Sequence, residues 1–142
     1  MTRITATLTS GMVVRLSNGR HEWAADEPVD AGGTDTGPNP YELLLGSLAA
    51  CTCITISWYC QHKSLPLKSV SATYDFGRIH ADDCKECDIP DRGFIEKITS
   101  DVHITGDFDA AQKKRLAQIA ERCPVHKTLA HGIVFEDRAT FG

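Results

Sequence analysis

A long run of uncharged residues in the first half of the sequence constrains the fold more than any other feature. From Leu43 to Gln61 the chain carries no charged side chain. Just before this run, Asn39, Pro40 and Glu42 form a capping-box pattern with proline at the first helical position, so we predict that a helix begins here. Because this helix is apolar nearly all round, we expect it to be buried on every side at the centre of the fold.

The run is close to the length of a membrane-spanning helix, so that alternative must be weighed. Small and hydroxyl-bearing residues interrupt it at Gly46, Ser47, Thr52, Thr55 and Ser57. No cluster of Lys and Arg follows it, and His62 and Lys63 instead complement the dipole at the end of a helix. We therefore predict a buried central helix and no membrane span.

Size and charge exclude several classes of function. A chain of 142 residues is expected to form one domain, residues 1–142, with a core of its own. The net charge is −4 and the Lys and Arg residues are scattered, which argues against a nucleic-acid partner. The N-terminus lacks the charged-then-apolar pattern of a secretion signal, so we expect a cytoplasmic protein. In that compartment the six cysteines are expected to be thiols, metal ligands or redox groups rather than structural disulfides.

The other segments alternate strands with a second helix. The dipeptide Asn18-Gly19 predicts a hairpin turn, and Ile4, Ala6 and Leu8 alternate on one face of a half-buried strand. Strands are predicted at Thr2–Thr9, Met12–Ser17, Arg20–Ala25, Lys68–His80, Phe94–Thr105 and Gly132–Arg138. This order predicts an α+β fold with largely antiparallel sheet.

The second helix is predicted from Ala110 to Cys123. Asp109 and Gln112 form a capping signal at its start, and Pro124 interrupts it. If a short helix restarts at Pro124, Cys123 becomes its cap, where unpaired N–H groups and the helix dipole favour a thiolate.

Cysteines supply the candidate chemistry. Cys51 lies in the middle of the central helix, and Cys123 lies on the buried stripe of the second helix. Alternatively both are small core residues, because free cysteine is among the most buried residue types. We interpret Cys53 and Cys60 as core residues.

A polar connection between two strands carries a C-x-x-C motif at Cys84 and Cys87. Such a pair can be a zinc half-site, a reversible disulfide or two idle thiols in a turn. His80 is a candidate third ligand, and a partner chain or one of Asp82, Asp83 and Asp88 could complete the set. We expect no metal, and keep His80, Cys84 and Cys87 as candidates.

Two motifs together resemble the OsmC/Ohr family of hydroperoxide-reducing proteins. The first is GPNPYELLLGSLAAC, which ends at Cys51, and the second is ERCPVHKTL, which contains Cys123. The resemblance spans nearly the whole chain, including the strand order. It implies an OsmC-like fold in which antiparallel sheets pack around a long buried central helix. It also implies an intertwined homodimer with two active sites at the subunit interface.

The implied activity is reduction of organic hydroperoxides by cysteine chemistry. The resemblance makes Cys51 the peroxidatic cysteine and Cys123 the resolving cysteine. An external dithiol of the lipoyl type would be the reductant, and no cofactor is implied. The alternative is a non-catalytic thiol, redox or metal-binding module built on the same fold.

One position departs from the family pattern. The best-characterised members carry a glutamate ten residues before the reactive cysteine, paired with an arginine that holds the thiolate. Tyr41 stands at that position here. At about 100° per residue, Glu42 lies on the opposite side of the helix from Cys51, so we expect Glu42 to serve the capping box instead.

The supporting arginine is therefore not assigned by the motif. Arg15 and Arg20 in the predicted hairpin are candidates, and Arg3 is a third. His126 follows the second motif and is a candidate to tune Cys123.

Overall fold

The computed structural model describes residues 2–80 and 93–142. In chain order the elements are β1 (Thr5–Thr7), β2 (Val14–Ser17), β3 (Glu22–Ala25), a 3-10 turn (Val29–Ala31), α1 (Pro40–His62), β4 (Leu67–His80), β5 (Phe94–Gly106), α2 (Ala110–Ala120) and α3 (Pro124–His131). Both sheets are antiparallel, which confirms the predicted α+β class. The chain divides into two compact units, Met1–Gly46 and Ser47–Gly142, and the prediction of a single domain stays a prediction.

The first unit contains a three-stranded sheet in the order β1-β2-β3. The predicted hairpin turn joins β2 to β3, with Ser17 paired to Glu22. The Asn18 side-chain oxygen accepts the N–H groups of Arg20 and His21 at 3.0 and 2.8 Å. Gly19 has a φ of 88°, a left-handed conformation that glycine adopts without steric cost.

The first strand is shorter and more exposed than predicted. Only Thr5–Thr7 pairs with β2, and its residues are exposed. Ile4 and Leu8, which were expected on a half-buried face, lie just outside the strand and are 46% and 54% exposed. Alternation alone does not bury a face, because burial needs a layer of residues packed against it.

Asp26 organises the loop that leads to α1. Its side chain is 2% exposed and accepts hydrogen bonds from the backbone N–H groups of Glu27, Thr34 and Thr36. The Thr34 and Thr36 hydroxyls donate to the same carboxylate at 2.6 and 3.0 Å. These hydrogen bonds lower the pKa of the Asp26 carboxyl, with the Thr34 hydroxyl contributing most. Gly33 fits beside this cluster because a Cβ there would overlap the Glu27 carbonyl.

The second unit is built on a long antiparallel ladder between β4 and β5, which runs from Leu67–Gly106 to His80–Phe94. Both strands lie close to their predicted positions. One face of β4 is half-buried at Val70, Ala72, Tyr74 and Phe76. The core of the unit is a cluster of buried residues from α1, α2 and the chain before α2: Ile56, Cys60, Phe108 and Leu116.

Helix α1 is buried along one stripe only. Leu48, Thr52, Ile56 and Cys60 recur every four residues and are the buried residues of the helix. In contrast, Ile54 and Trp58 are 67% and 58% exposed. The expectation of burial on every side is therefore wrong for one chain, because α2, α3 and the β4–β5 sheet can cover only one side of a helix.

By length and composition, α1 is long and apolar enough to cross a membrane, and it is the single such helix within residues 2–80 and 93–142. That observation is weak evidence for a span, because the core helix of a soluble protein meets the same criteria. The interpretation of α1 as a core helix rests on its buried stripe.

Two predictions near the C-terminus need correction. The second helix ends at Ala120, earlier than Cys123, and a separate helix α3 begins at Pro124. Gly132–Arg138 is not a strand, although Val134 and Phe135 are apolar; these two side chains are 96% and 77% exposed. A strand needs a neighbouring strand to pair with its backbone, and no neighbour pairs with this segment in the described chain.

Candidate active site at the start of helix α3

The site is built on the first turn of α3. Cys123 is the N-cap residue, with φ −63° and ψ 153°, and Pro124 occupies the first helical position. The Cys123 sulfur accepts the backbone N–H of His126 at 3.4 Å. This is the arrangement that the sequence predicted for a helix restarting at Pro124. A cap of this kind directs unpaired N–H groups, and the positive end of the helix dipole, at the sulfur.

Helix α1 brings Cys51 to the same place. The Val125 N–H and the Cys123 thiol lie close enough to the Cys51 thiol to change its pKa. Cys51 is partly exposed whereas Cys123 is completely buried, and both are free thiols. The two motif cysteines, which are far apart in sequence, therefore share the donors of one helix start.

Burial raises the pKa of the Cys51 thiol above its ordinary value. The Val125 N–H and the Thr55 hydroxyl oppose this effect by stabilising the thiolate, whereas Cys123 adds to it. None of these contributors within the described chain is a cation. The thiol is therefore less acidic in a single chain than a peroxide-reactive cysteine requires.

Residues that the sequence analysis did not single out hold Cys51 in place. Thr55 donates its hydroxyl to the Cys51 carbonyl at 2.7 Å, one helical turn later. Thr52, fully buried beside Cys51 in the chain, hydrogen-bonds to the Tyr74 hydroxyl at 2.8 Å and ties α1 to β4. The i+4 spacing from Cys51 could have identified Thr55, but nothing in the sequence pairs Thr52 with Tyr74.

The supporting residues predicted in the first unit have the following positions. The Glu42 side chain accepts the Asn39 N–H at 2.8 Å, and the Asn39 side chain accepts the Glu42 N–H at 2.9 Å, which confirms the capping box. Tyr41 is 52% exposed in the first turn of α1.

The candidate arginines are all exposed. Arg15 lies on β2, Arg20 in the β2–β3 turn and Arg3 ahead of β1, and none of them is ion-paired to a described residue. Their role as supports of the thiolate stays a prediction.

A cavity of about 260 Å³ with a mixed lining lies beside α3. Its apolar lining residues are Leu48, Ile98, Leu129 and Ala130, and its polar ones are Tyr74, Glu96, Ser100 and His126. Leu48 is one helical turn before Cys51, and His126 donates its backbone N–H to Cys123, so this cavity adjoins both thiol-bearing segments. His126 thus contributes to the Cys123 site through its backbone N–H, and it also lines the cavity.

A second cavity, of about 270 Å³, lies between α1, α2 and the start of α3. Thr55, Tyr59 and Ile119 form its half-buried base, and the exposed side chains of Arg115, Arg122 and Lys127 line its opening. We call this cavity the basic groove. Thr55 connects it to Cys51, because the Thr55 hydroxyl donates to the carbonyl of that residue and influences the pKa of its thiol.

Of the candidate metal ligands, His80 alone lies within the residues that the structure describes. Cys84, Cys87, Asp82, Asp83 and Asp88 lie outside the described residues. His80 is at the end of β4, with its ring edge-on to Phe94 at a centroid separation of 5.4 Å. Within residues 2–80 and 93–142, no group of three or more His, Cys, Asp and Glu side chains is placed to hold a metal ion.

The fold and the site together define an α+β protein whose chemistry-bearing groups are two adjacent thiols at a helix start. A family model described as OsmC-like protein matches residues 33–136. The chain therefore belongs to the OsmC-like protein family, as its motifs predicted.

Solved structures share this fold. An OsmC-like protein from Mycoplasma pneumoniae is 20% identical, with a TM-score of 0.69 over 92% of this chain and 87% of that chain. An organic hydroperoxide resistance protein OsmC from Legionella pneumophila is 23% identical, with a TM-score of 0.61 over 89% and 87% of the two chains. The organic hydroperoxide resistance protein OhrB of Bacillus subtilis is 21% identical, with a TM-score of 0.57 over 89% and 88%. A search of curated proteins gave no significant sequence match.

Proposed function

We propose that this protein is a thiol-dependent peroxidase that reduces organic hydroperoxides to alcohols. The observation that carries the proposal is the contact between the Cys51 and Cys123 thiols at the N-terminus of α3. Family membership and the similarity to proteins called organic hydroperoxide resistance proteins support the same activity.

The proposed cycle begins with Cys51. Its thiolate attacks the O–O bond of the hydroperoxide, so the distal oxygen becomes a sulfenic acid and the alcohol leaves with a proton. The Cys123 thiol then attacks the sulfenic sulfur, forming a Cys51–Cys123 disulfide and releasing water. An external dithiol of the lipoyl type restores both thiols by exchange and leaves as its own disulfide. The cycle uses no metal or cofactor, and a reducing cytoplasm would maintain the dithiol.

The four apolar residues that line the cavity beside α3 support a preference for organic over hydrogen peroxide. An alkyl or aryl group gains free energy by leaving water for an apolar cavity, at roughly 25 cal/mol per Å² of buried apolar surface. Hydrogen peroxide has no such group, so it would not gain this energy.

The raised pKa of Cys51 supports assembly of the working site in a homodimer. A cation from a second chain would favour the thiolate, as Val125 and Thr55 do in part, and Arg15 and Arg20 are our candidates for it. Tyr41, in place of a carboxylate, would leave such an arginine to act on the sulfur without an acidic partner.

The same raised pKa favours a second candidate function. Without a cation at Cys51, the protein would be a thiol or metal-binding module on the OsmC-like fold, with no peroxidase turnover. A measurement of peroxide turnover distinguishes the two functions.

The measurement is consumption of cumene hydroperoxide and of hydrogen peroxide with a dithiol in excess. We expect the organic peroxide to be consumed faster and Cys51→Ser to abolish turnover. Cys53→Ser is the matched control, because Cys53 is also a half-buried cysteine of α1 and takes no part in the proposed cycle. Undiminished turnover in Cys51→Ser, or no turnover in the unmodified protein, would reject the peroxidase assignment.

A further inference from the structure

The basic groove has an unusual charge distribution for a cavity of its size. Three side chains at its opening are cations, Arg115, Arg122 and Lys127, and no carboxylate lines it among the described residues. The nearby Glu121 belongs to another cavity, on the other side of α2. Although the protein as a whole carries a net charge of −4, this cavity presents only positive charge.

The three cations are also available to a ligand. The single ion pair in the part of the chain that the structure describes is between Arg78 and Glu96, so none of the three groove cations is neutralised by a described carboxylate. One N–H group of Arg115 donates to Gln118 at 3.1 Å, which leaves most of its fork of donors free. Guanidinium groups with free donors bind carboxylates and phosphates in pairs of hydrogen bonds.

The base and one wall of the groove are apolar and aromatic. Tyr59 and Ile119 pack against the hydrophobic core, and Trp58 lines the groove while its ring stacks on His62 at a centroid separation of 3.9 Å. Cations above an apolar base match an amphipathic ligand, in which an anionic group is joined to a hydrocarbon segment.

The groove opens next to the reactive cysteine. Thr55 is part of its base and hydrogen-bonds to Cys51. Lys127 lies on α3, where its backbone N–H closes the first turn on the Cys123 carbonyl at 3.0 Å. Two residues that line the groove, Thr55 and Lys127, therefore contact the two cysteine residues directly.

We propose that the basic groove is an anion subsite, in which Arg115, Arg122 and Lys127 bind a carboxylate carried by a substrate that reacts at Cys51. This inference rests on the proposed peroxidase function for its role in turnover. The carboxylate could belong to the hydroperoxide or to the dithiol reductant, since both must reach Cys51 or its disulfide.

Turnover measured with matched substrate pairs distinguishes these two sources. In the first arm, a long-chain hydroperoxide with a free carboxylate is compared with its methyl ester, with dithiothreitol as the neutral reductant. In the second arm, dihydrolipoate is compared with its amide, with cumene hydroperoxide as the neutral peroxide. In the arm whose substrate carries the recognised carboxylate, we expect kcat/KM to be about tenfold higher for the charged member. Two or three partly exposed charge contacts account for a difference of this size.

The variants assign this preference to the groove. Arg115→Gln/Arg122→Gln/Lys127→Gln should remove the preference and leave kcat/KM for the neutral members within about twofold. The control is Lys68→Gln/Lys113→Gln/Lys114→Gln, which removes the same amount of charge from outside the groove. The control should retain the preference. Equal rates for charged and neutral members in both arms, or equal losses in both triple variants, would overturn the subsite.

A binding measurement keeps this test separate from the peroxidase assignment. The protein has two tryptophans, so Trp23→Phe leaves Trp58 in the groove wall as the sole indole. We expect octanoate, and not octanamide, to change its fluorescence, with weaker binding at raised salt because ions screen exposed charges. Loss of the octanoate response in the groove triple variant and its retention in the control would support the subsite even without turnover. No response of Trp58 to octanoate would overturn it.

Discussion

Pro124 determines the surroundings of Cys123, because it ends the preceding turn and starts a new helix. The cysteine becomes the N-cap of α3, and its sulfur accepts a backbone N–H of the first turn. Val125 extends the same environment to Cys51. Two thiols at one helix start are well placed to exchange a sulfenic acid for a disulfide, because both sulfurs are held within contact distance.

Replacing the resolving cysteine should stop the cycle after its first step. In Cys123→Ser we expect Cys51 to react with one equivalent of peroxide and remain a sulfenic acid, which excess peroxide converts to sulfinic acid. Mass spectrometry should find the Cys51–Cys123 link in the unmodified protein and in the Cys53→Ser control, but not in Cys123→Ser. A link between Cys84 and Cys87 as the main oxidation product would move the chemistry away from α3.

Asp26 should make the first unit sensitive to acid. Its carboxylate accepts hydrogen bonds from Thr34, Thr36 and Glu27, which lower its pKa in the folded protein. A lowered folded pKa stabilises the fold above the unfolded value, about 3.9 for Asp, and this stabilisation is lost as pH falls from there toward the folded pKa. The urea midpoint should fall below about pH 4 in the unmodified protein, and less steeply in Asp26→Asn.

Asp30→Asn is the control for this experiment, because Asp30 is exposed in the 3-10 turn of the same loop. It should retain the acid dependence of the unmodified protein. If Asp26→Asn has an unchanged pH profile, the Asp26 hydrogen bonds do not stabilise the fold.

At the scale of elements, α1 is joined to the long sheet through a buried pair of hydroxyls. Thr52 is 0% exposed, and its hydroxyl lies 2.8 Å from that of Tyr74 on β4. Since Thr52 follows Cys51 directly, this bond also fixes the rotation of α1 that directs Cys51 toward α3. The pair thus couples the packing of the helix to the geometry of the site.

Removing the Tyr74 hydroxyl should lower the free energy of unfolding, although the substitution deletes a single oxygen atom. In Tyr74→Phe the buried Thr52 hydroxyl loses its partner, which costs about 1–3 kcal/mol of unfolding free energy. Thr52→Val/Tyr74→Phe should recover part of the loss, because no polar group is then left unpaired.

An exposed pair in the same ladder provides the control. The hydroxyls of Ser69 and Thr105 lie 2.6 Å apart on the surface of β4 and β5, so Ser69→Ala should change the unfolding free energy by less than about 0.5 kcal/mol. Denaturant unfolding curves measure all four proteins. Equal losses of unfolding free energy in Tyr74→Phe and Ser69→Ala would show that burial of the Thr52–Tyr74 pair does not increase its contribution to stability.

For the whole molecule, the described chain leaves substantial apolar surface in water. Ile54 lies on the exposed side of α1, and Ile133, Val134 and Phe135 follow α3 without entering a strand. Covering four side chains of Leu or Ile size is worth roughly 6–12 kcal/mol before the costs of association. We therefore expect an obligate homodimer, in which a second chain covers Ile54 and the apolar residues that follow α3.

This homodimer should weaken when a charge is placed on the exposed side of α1. In Ile54→Glu we expect sedimentation to show dissociation at micromolar concentrations, with a parallel loss of activity and of cooperative stability. Ser71→Glu adds the same charge on the exposed face of β4, away from α1, and should leave the assembly intact. A stable, fully folded monomer of the unmodified protein at micromolar concentration would contradict the homodimer and a site shared between chains.

Local sequence alone determined the starts of the helices and the position of the hairpin. The capping boxes at Asn39–Glu42 and Asp109–Gln112, and the turn at Asn18, each depend on groups within three residues of one another. Such interactions form wherever the segment is placed, so the pattern of residues is sufficient to predict them. The two motifs around Cys51 and Cys123 also identified the family and its candidate thiols.

Only the tertiary structure decided which of these residues meet. The contact of Cys51 with Cys123, the influence of the Val125 N–H on Cys51, the Thr52–Tyr74 pair and the basic groove all join segments distant in the sequence. The path of the chain also decided that α1 buries one stripe and that Gly132–Arg138 has no strand to pair with. An apolar run specifies that a segment should be covered, but the surface that covers it depends on every element packed around it.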